Sequence, residues 1–227
     1  MLKKFEDFCP LTDDTALIVC GTEYTHLTEL TKVKYKIKGN KVHLFSPTIL
    51  LTGTYLRLGN VFDGKLMFSD EYSVYTTEIK NPTKRTYVCE GIQPYLFELG
   101  AVYQKRGSIY LNHDVIIPPW DDYIVAGRPT VYNNWIYFEA RIKPAPQGWE
   151  IWRYDLTSKK KEMVLNYGGN PYVYAGKMFY SHWVTLKRIL GMRPVATRFQ
   201  ALANLYAYVG WQSAFETRYV NLNLINV

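Results

Sequence analysis

Apolar and polar residues alternate along most of this chain in short runs broken by turn residues, a period of two that predicts β-strands. The pattern is also repeated. Pro129–Glu139 (Pro-Thr-Val-Tyr-Asn-Asn-Trp-Ile-Tyr-Phe-Glu) lies over Pro171–Ser181 at an offset of 42 without a gap, and Gly59–Ser69 and Pro94–Gln104 fit the same register. A fainter copy runs Pro10–Cys20. The starts at 10, 59, 94, 129 and 171 are separated by 49, 35, 35 and 42 residues. Each copy reads as a few extended residues, a tight turn and a strongly apolar strand. The turn positions align as Asp14, Asp63, Glu98, Asn133 and Ala175, followed by Thr15, Gly64, Leu99, Asn134 and Gly176. Asp-Gly and Asn-Asn suit a hairpin turn whose two central residues need positive φ; Glu98-Leu99 lacks that chemistry and predicts a different turn.

A third strand shows in Trp149–Tyr154, where Trp149, Ile151 and Arg153 alternate with Glu150, Trp152 and Tyr154. A polar turn over Asp155–Lys161 leads to a fourth strand, Glu162–Leu165, and Gly168-Gly169 returns the chain to the next copy. Four antiparallel strands per 35 to 50 residues is the spacing of a propeller blade. The expectation is therefore an all-β, single-domain β-propeller over residues 1–227. Five blades are expected, or six if 171–227 divides in two. The middle of that last stretch reads both ways: Phe199, Leu202, Ala203 and Tyr206 fit a helical face, whereas 204–209 alternate like a strand. At the C-terminus Val220, Leu222 and Leu224 alternate with asparagines, which predicts a buried closing strand that pairs with N-terminal chain and removes an edge.

Composition supports the strand reading. Aromatic residues make up 16% of the 227 positions, with 20 Tyr and 6 Trp, and such side chains suit half-buried pleated surfaces. The net charge of +7 favours an anionic partner, whether nucleic acid, an acidic protein face or a polyanionic glycan. Cys9, Cys20 and Cys89 show neither a disulfide framework nor zinc-ligand spacing. Met1-Leu-Lys-Lys begins like a secretory signal, but Glu6 and Asp7 interrupt it. No apolar run is long enough to span a bilayer as a helix. Synthesis in a cytoplasm without membrane insertion is expected.

Phe62-Asp-Gly-Lys-Leu-Met-Phe68 and Ile151-Trp-Arg-Tyr-Asp-Leu156, followed by Gly169-Asn-Pro171, resemble the TolB-type, WD40-like β-propeller repeat. The likeness is good over 129–182 and fair over 59–104. It implies a scaffold whose family members mostly bind other proteins; Glu98-Leu99 and Ala175 depart from the pattern.

Candidate chemistry is sparse. Asp14, Asp63, Glu98 and Asn133 would ring one face of a propeller, as carboxylate pairs do in glycosidases, but Asp and Asn also favour turns for conformational reasons. His26, His43, His113 and His182 are scattered, with His113-Asp114 the one tight His/acid pair. No nucleophile elbow, phosphate loop or dinucleotide fingerprint occurs. No catalytic, cofactor or metal-binding residues are assigned. The strongest charge pattern is Thr31–Lys41, where Lys32, Lys34, Lys36 and Lys38 would share one face of a strand with Val33, Tyr35 and Ile37 behind them. It reads as an anionic docking strip or as protection of an exposed edge. Lys187, Arg188, Arg193 and Arg198 form a second basic group. In Ile116-Ile-Pro-Pro-Trp-Asp-Asp122 the paired prolines predict a stiff connection, with Trp120 either buried or offered as a hot spot for sugar or protein.

These observations favour a non-enzymatic binding or structural subunit of a larger assembly. Its partners would be other proteins met through a basic surface, and a phage particle (tail, collar or decoration) is the expected setting. A lectin-like propeller stacking sugars on Trp120, Trp149 or Trp211 and a small glycosidase are the alternatives, and nucleic acid stays open as a partner.

Overall fold

The predicted turns set the geometry. Asp63 and Gly64 have φ of 48° and 72°, Asn133 and Asn134 47° and 66°, and Ala175 and Gly176 48° and 71°, the doubly positive pattern of a two-residue hairpin. Ala175 adopts it although alanine resists positive φ. Glu98 and Leu99 do not, and there the positive φ falls on Gly100 at 123°. A computed structural model describes residues 3–22, 25–38, 41–125, 127–142, 150–166, 168–183 and 215–221. The ambiguous 199–209 segment, the second basic group, Trp149, Trp211, Leu222 and Leu224 lie outside the described residues, as do the side chains of His26, His182 and Val220.

The chain is all-β, with no helix among the described residues. β1 (Lys3–Pro10), β2 (Thr15–Thr22), β3 (Thr25–Lys38) and β4 (Lys41–Thr54) form consecutive hairpins. β5 (Arg57–Phe62), β6 (Lys65–Asp70), β7 (Ser73–Glu78) and β8 (Arg85–Glu90) make the next sheet, and β9 (Ile92–Phe97), β10 (Gly100–Lys105), β11 (Ser108–Leu111) and β12 (Asp114–Ile117) the third. In the fourth, β13 (Tyr123–Val125) and β14 (Thr130–Tyr132) both pair with β15 (Trp135–Ile142), which continues to β16 (Glu150–Asp155) and β17 (Lys161–Asn166). The chain then enters β18 (Gly168–Tyr174), β19 (Lys177–Trp183) and β20 (Phe215–Asn221).

Register repeats with the sequence: Val61 faces Leu66, Leu96 faces Ala101, Val131 faces Ile136 and Val173 faces Met178. The first copy differs, because its strand precedes Pro10 instead of following it, and its turn spans 11–14.

The arrangement is propeller-like with four sheets, which corrects the expected five blades and the alternative six. β20 pairs not only with β19 but also with β4, where Arg218 meets Lys41, so first and last repeats share one seven-stranded sheet. That sheet is strongly curled. Laid flat, its outermost strands β1 and β18 would stand roughly 29 Å apart at normal strand spacing, yet Cys9 Sγ on β1 donates to Tyr172 Oη on β18 at 3.0 Å.

Among the described residues, four apolar clusters fill the spaces between successive sheets and a fifth lies inside the curled seven-stranded sheet. Leu17 and Leu30 meet Leu58 and Phe68; Met67 and Val74 meet Ala101 and Tyr103; Val102 and Ile109 meet Ile136 and Phe138. Tyr137 and Ile151 meet Val173 and Met178, and Phe8, Val33 and Tyr35 meet Phe179. Each such side chain contributes about 1.5–3 kcal/mol by leaving water.

The inner strands are tied in order. Leu58 N donates to Asp7 Oδ2 at 2.8 Å. Asn60 bridges to both the N–H and the C=O of Leu96. Tyr95 Oη donates to Val131 O at 3.3 Å and Val173 N to Thr130 Oγ1 at 3.2 Å. Gly59 permits this crowding: a Cβ there would lie 2.4 Å from Pro94 O and 2.5 Å from Met67 O.

Candidate functional site

β3 and β4 are 14 residues each, more than twice the length of most strands here, because apolar alternation persists through the lysine-rich stretch. β2 accompanies β3 only as far as Lys34, opposite Thr15. Beyond it Tyr35, Lys36, Ile37 and Lys38 pair with Leu44, His43, Val42 and Lys41, Tyr35 N still donates to Asp14 O at 2.7 Å, and β20 joins the far side of β4 at Lys41.

One face of this hairpin is anchored. Val33 and Tyr35 are buried. Tyr35 meets Phe8 edge-on at 5.4 Å and Phe179 at 6.3 Å, and its hydroxyl donates to Thr12 O at 2.9 Å. Burial pushes its pKa up to about 12, which keeps it a donor. The other face carries Lys32, Lys34, Lys36 and Lys38, all exposed. Alternate residues of a strand stand about 6.6–6.8 Å apart, inside the Debye length of about 8 Å at physiological salt, so neighbouring ammonium groups repel one another.

Cross-strand pairing extends the patch. Phe45 lies opposite Lys34 and His43 opposite Lys36, both exposed, and Lys36 Nζ sits 5.6 Å from the Phe45 ring centre. The ladder shifts register between Lys32 and Lys34, opposite Ser46 and Pro47, and Ser46 has φ of 53°. Such a bulge re-aims side chains. Asp14 is the neighbouring acid. Thr12 Oγ1 and Thr15 Oγ1 donate to its Oδ1 at 2.8 and 2.9 Å; these bonds, and more weakly Lys34, hold its carboxyl below the usual range. Edge protection accounts for only part of the row: β3 lies between β2 and β4 through Lys34, and only Lys36 and Lys38 stand where its β2 side is open.

Trp120 belongs to a different sheet and does not join the patch. It follows the Pro118-Pro119 connection, exchanges backbone bonds with Tyr123 and is half-buried. Tyr123 stacks on it at 5.3 Å and 9°, Phe138 and Trp152 meet it edge-on, and Lys161 Nζ lies 4.2 Å from its ring centre. Its ring is engaged inside the protein.

Asp14, Asp63, Glu98 and Asn133 are exposed at separate turns. Asp63→Asn and Glu98→Gln should each shift stability by no more than about 0.5 kcal/mol, since asparagine also tolerates positive φ at 63; thermal melts check this. His113 is exposed in the turn before β12. Among the described residues no group of three His, Cys, Asp or Glu side chains is placed to hold a metal, and no helix is long and apolar enough to cross a membrane.

Sequence reasoning missed a buried charge cluster on the axis. Arg128 stands in the break between β13 and β14 with no exposure. Nε donates to Leu58 O at 3.1 Å, Nη1 to Phe8 O at 3.0 Å and Nη2 to Gly59 O at 3.4 Å. Asp7 Oδ1 lies 3.9 Å from Nη1, a charge contact too long for a hydrogen bond, and the guanidinium carbon sits 5.0 Å from the Tyr172 ring centre. Nearby, Glu139 is buried and accepts from Asn170 N at 2.9 Å. Burial pushes its pKa up to about 7 against the pull of Asn170 N–H, Arg141 and Arg57. The available signal was an acid interrupting an apolar strand in Tyr137-Phe-Glu-Ala140; Gly127-Arg-Pro129 reads as an ordinary connection and gave none.

Radially packed sheets with inner strands linked in order define a propeller-like β protein. No protein-family model matches the chain, and no curated protein is similar to it in sequence. Among solved structures, one from Bacteroides ovatus titled as a dipeptidyl aminopeptidase IV is similar over 66% of this chain and 32% of its own, at 10% identity and a TM-score of 0.30. This chain thus spans about a third of that structure's length.

Proposed function

We propose that the protein is a non-catalytic propeller that acts as a binding subunit of a larger assembly and docks an anionic partner on the β3–β4 hairpin. The observation that carries this reading is the row Lys32, Lys34, Lys36 and Lys38, held outward by a hairpin whose opposite face is locked into the core. A repulsive row of this kind is relieved when an anion binds across it. In the same reading the ring closes within the curled sheet, where Lys41 meets Arg218. The contact of its two outermost strands through Cys9 and Tyr172 supports closure, and the repeated register supports the likeness to TolB-type repeats.

The test replaces all four lysines with glutamine and follows binding to heparin, a generic polyanion, by fluorescence titration. The wild type should bind with an affinity that falls as salt rises, and the variant should bind at least tenfold more weakly at an unchanged melting temperature. Equal binding by a folded variant would remove the hairpin from the function.

A further inference from the structure

Resting on that docking reading, we infer that the anionic partner is a single-stranded nucleic acid, held by phosphates on the lysine row and by a base on Phe45. Charge alone does not select it, because an extended acidic peptide would match the row's spacing equally well. Two features of the face separate the partners.

The first is the aromatic ring set among cations. Phe45 is 38% exposed, lies directly opposite Lys34 and has Lys36 Nζ 5.6 Å from its centre. His43 stands beside it opposite Lys36. The bulge at Ser46-Pro47 immediately follows Phe45 in the strand. Aromatic faces flanked by basic side chains hold single strands because every base has a stacking face and every link a phosphate. Carboxylates have no use for the ring.

The second is the strand's edges. An extended peptide gains most from adding along a free sheet edge of several residues, but β3 is paired on both sides as far as Lys34, and only the short stretch from Lys36 to Lys38 has an open side. A partner on the lysine face meets side chains only, which suits a phosphate backbone. A duplex fits less well, since its bases are already paired and stacked on one another and are not free to stack on the ring. Asp14 interacts with Lys34, and its carboxylate accepts from Thr12 and Thr15.

The experiment is fluorescence anisotropy of the intact protein with labelled oligothymidylate and oligouridylate, the matching duplex and polyglutamate, across a salt series. Binding of the single strands with a slope of log affinity against log salt near −3 is expected, since four phosphate contacts contribute about −0.7 each. The lysine-to-glutamine variant should lose that slope. Phe45→Ala should weaken single-strand binding about tenfold while leaving the slope unchanged, a split that a merely structural role for Phe45 would not produce. Preference for the duplex, or Phe45→Ala binding as well as the wild type, overturns the inference. Binding of polyglutamate or heparin without the single strands overturns it too, yet leaves the docking reading standing. Loss of every polyanion removes both.

Discussion

Arg128→Met is expected to destabilise the protein by about 3–5 kcal/mol, the usual cost of removing one partner from a buried ionic contact. The arginine is wholly enclosed and its three donors reach carbonyls on two inner strands, Phe8 O on β1 and Leu58 O and Gly59 O on β5. Methionine fills much of the volume but leaves three acceptors unmet and Asp7 without its countercharge. Burial already raises the Asp7 pKa, with Arg128 pulling it back, so the variant carboxyl should protonate more readily. Against a total stability of about 5–15 kcal/mol for a typical domain, the loss should be plain in urea denaturation. Asp7→Asn in the Arg128→Met background should recover part of it, because asparagine still accepts from Leu58 N and carries no charge. A change below about 1 kcal/mol in the single variant would mean that Arg128 is a passenger on the axis.

Glu139→Gln is expected to make stability less dependent on pH between about 4.5 and 8. The folded protein raises the Glu139 pKa from 4.5 to about 7, so folding favours the protonated acid. That contribution is fully present below pH 4.5 and is lost as pH rises through 7. A shift of this size corresponds to about 3 kcal/mol. Glutamine keeps an oxygen for Asn170 N–H and never ionises. The variant should therefore gain about 3 kcal/mol relative to wild type on going from pH 4.5 to pH 8. Asp7 titrates in both proteins and largely cancels, although its charge also raises the Glu139 pKa. Unfolding free energies for both proteins across this range decide the matter, and parallel curves would show that the Glu139 carboxylate is solvated or paired after all.

The features legible along the chain were local. Turns at Asp63-Gly64 and Asn133-Asn134 follow from which residues accept positive φ, and the register that places Val61, Leu96, Val131 and Val173 alike follows from alternation on either side of them. The lysine row was legible for the same reason: a two-residue period sends Lys32 to Lys38 one way and Val33 and Tyr35 the other, whatever lies beyond. The faint first copy was misplaced because its longer turn breaks the spacing on which the alignment depends.

Which distant strands meet depends on the packing of the whole fold. Nothing near Lys41 or Arg218 announces that they pair, so the union of first and last repeats, and with it the count of four sheets, lay beyond any local pattern. Phe45 joins the lysines through cross-strand register on the neighbouring strand, not through its place in a motif. Trp120 reads from sequence as core or as an exposed anchor, and only Tyr123, Trp152 and Lys161 packed around it decide for the former. The axial charges were the least legible of all. Asp7, Arg128 and Glu139 each look like surface residues in sequence, because whether a charge is buried depends on what the rest of the chain packs over it, and that is settled by contacts between residues more than a hundred positions apart.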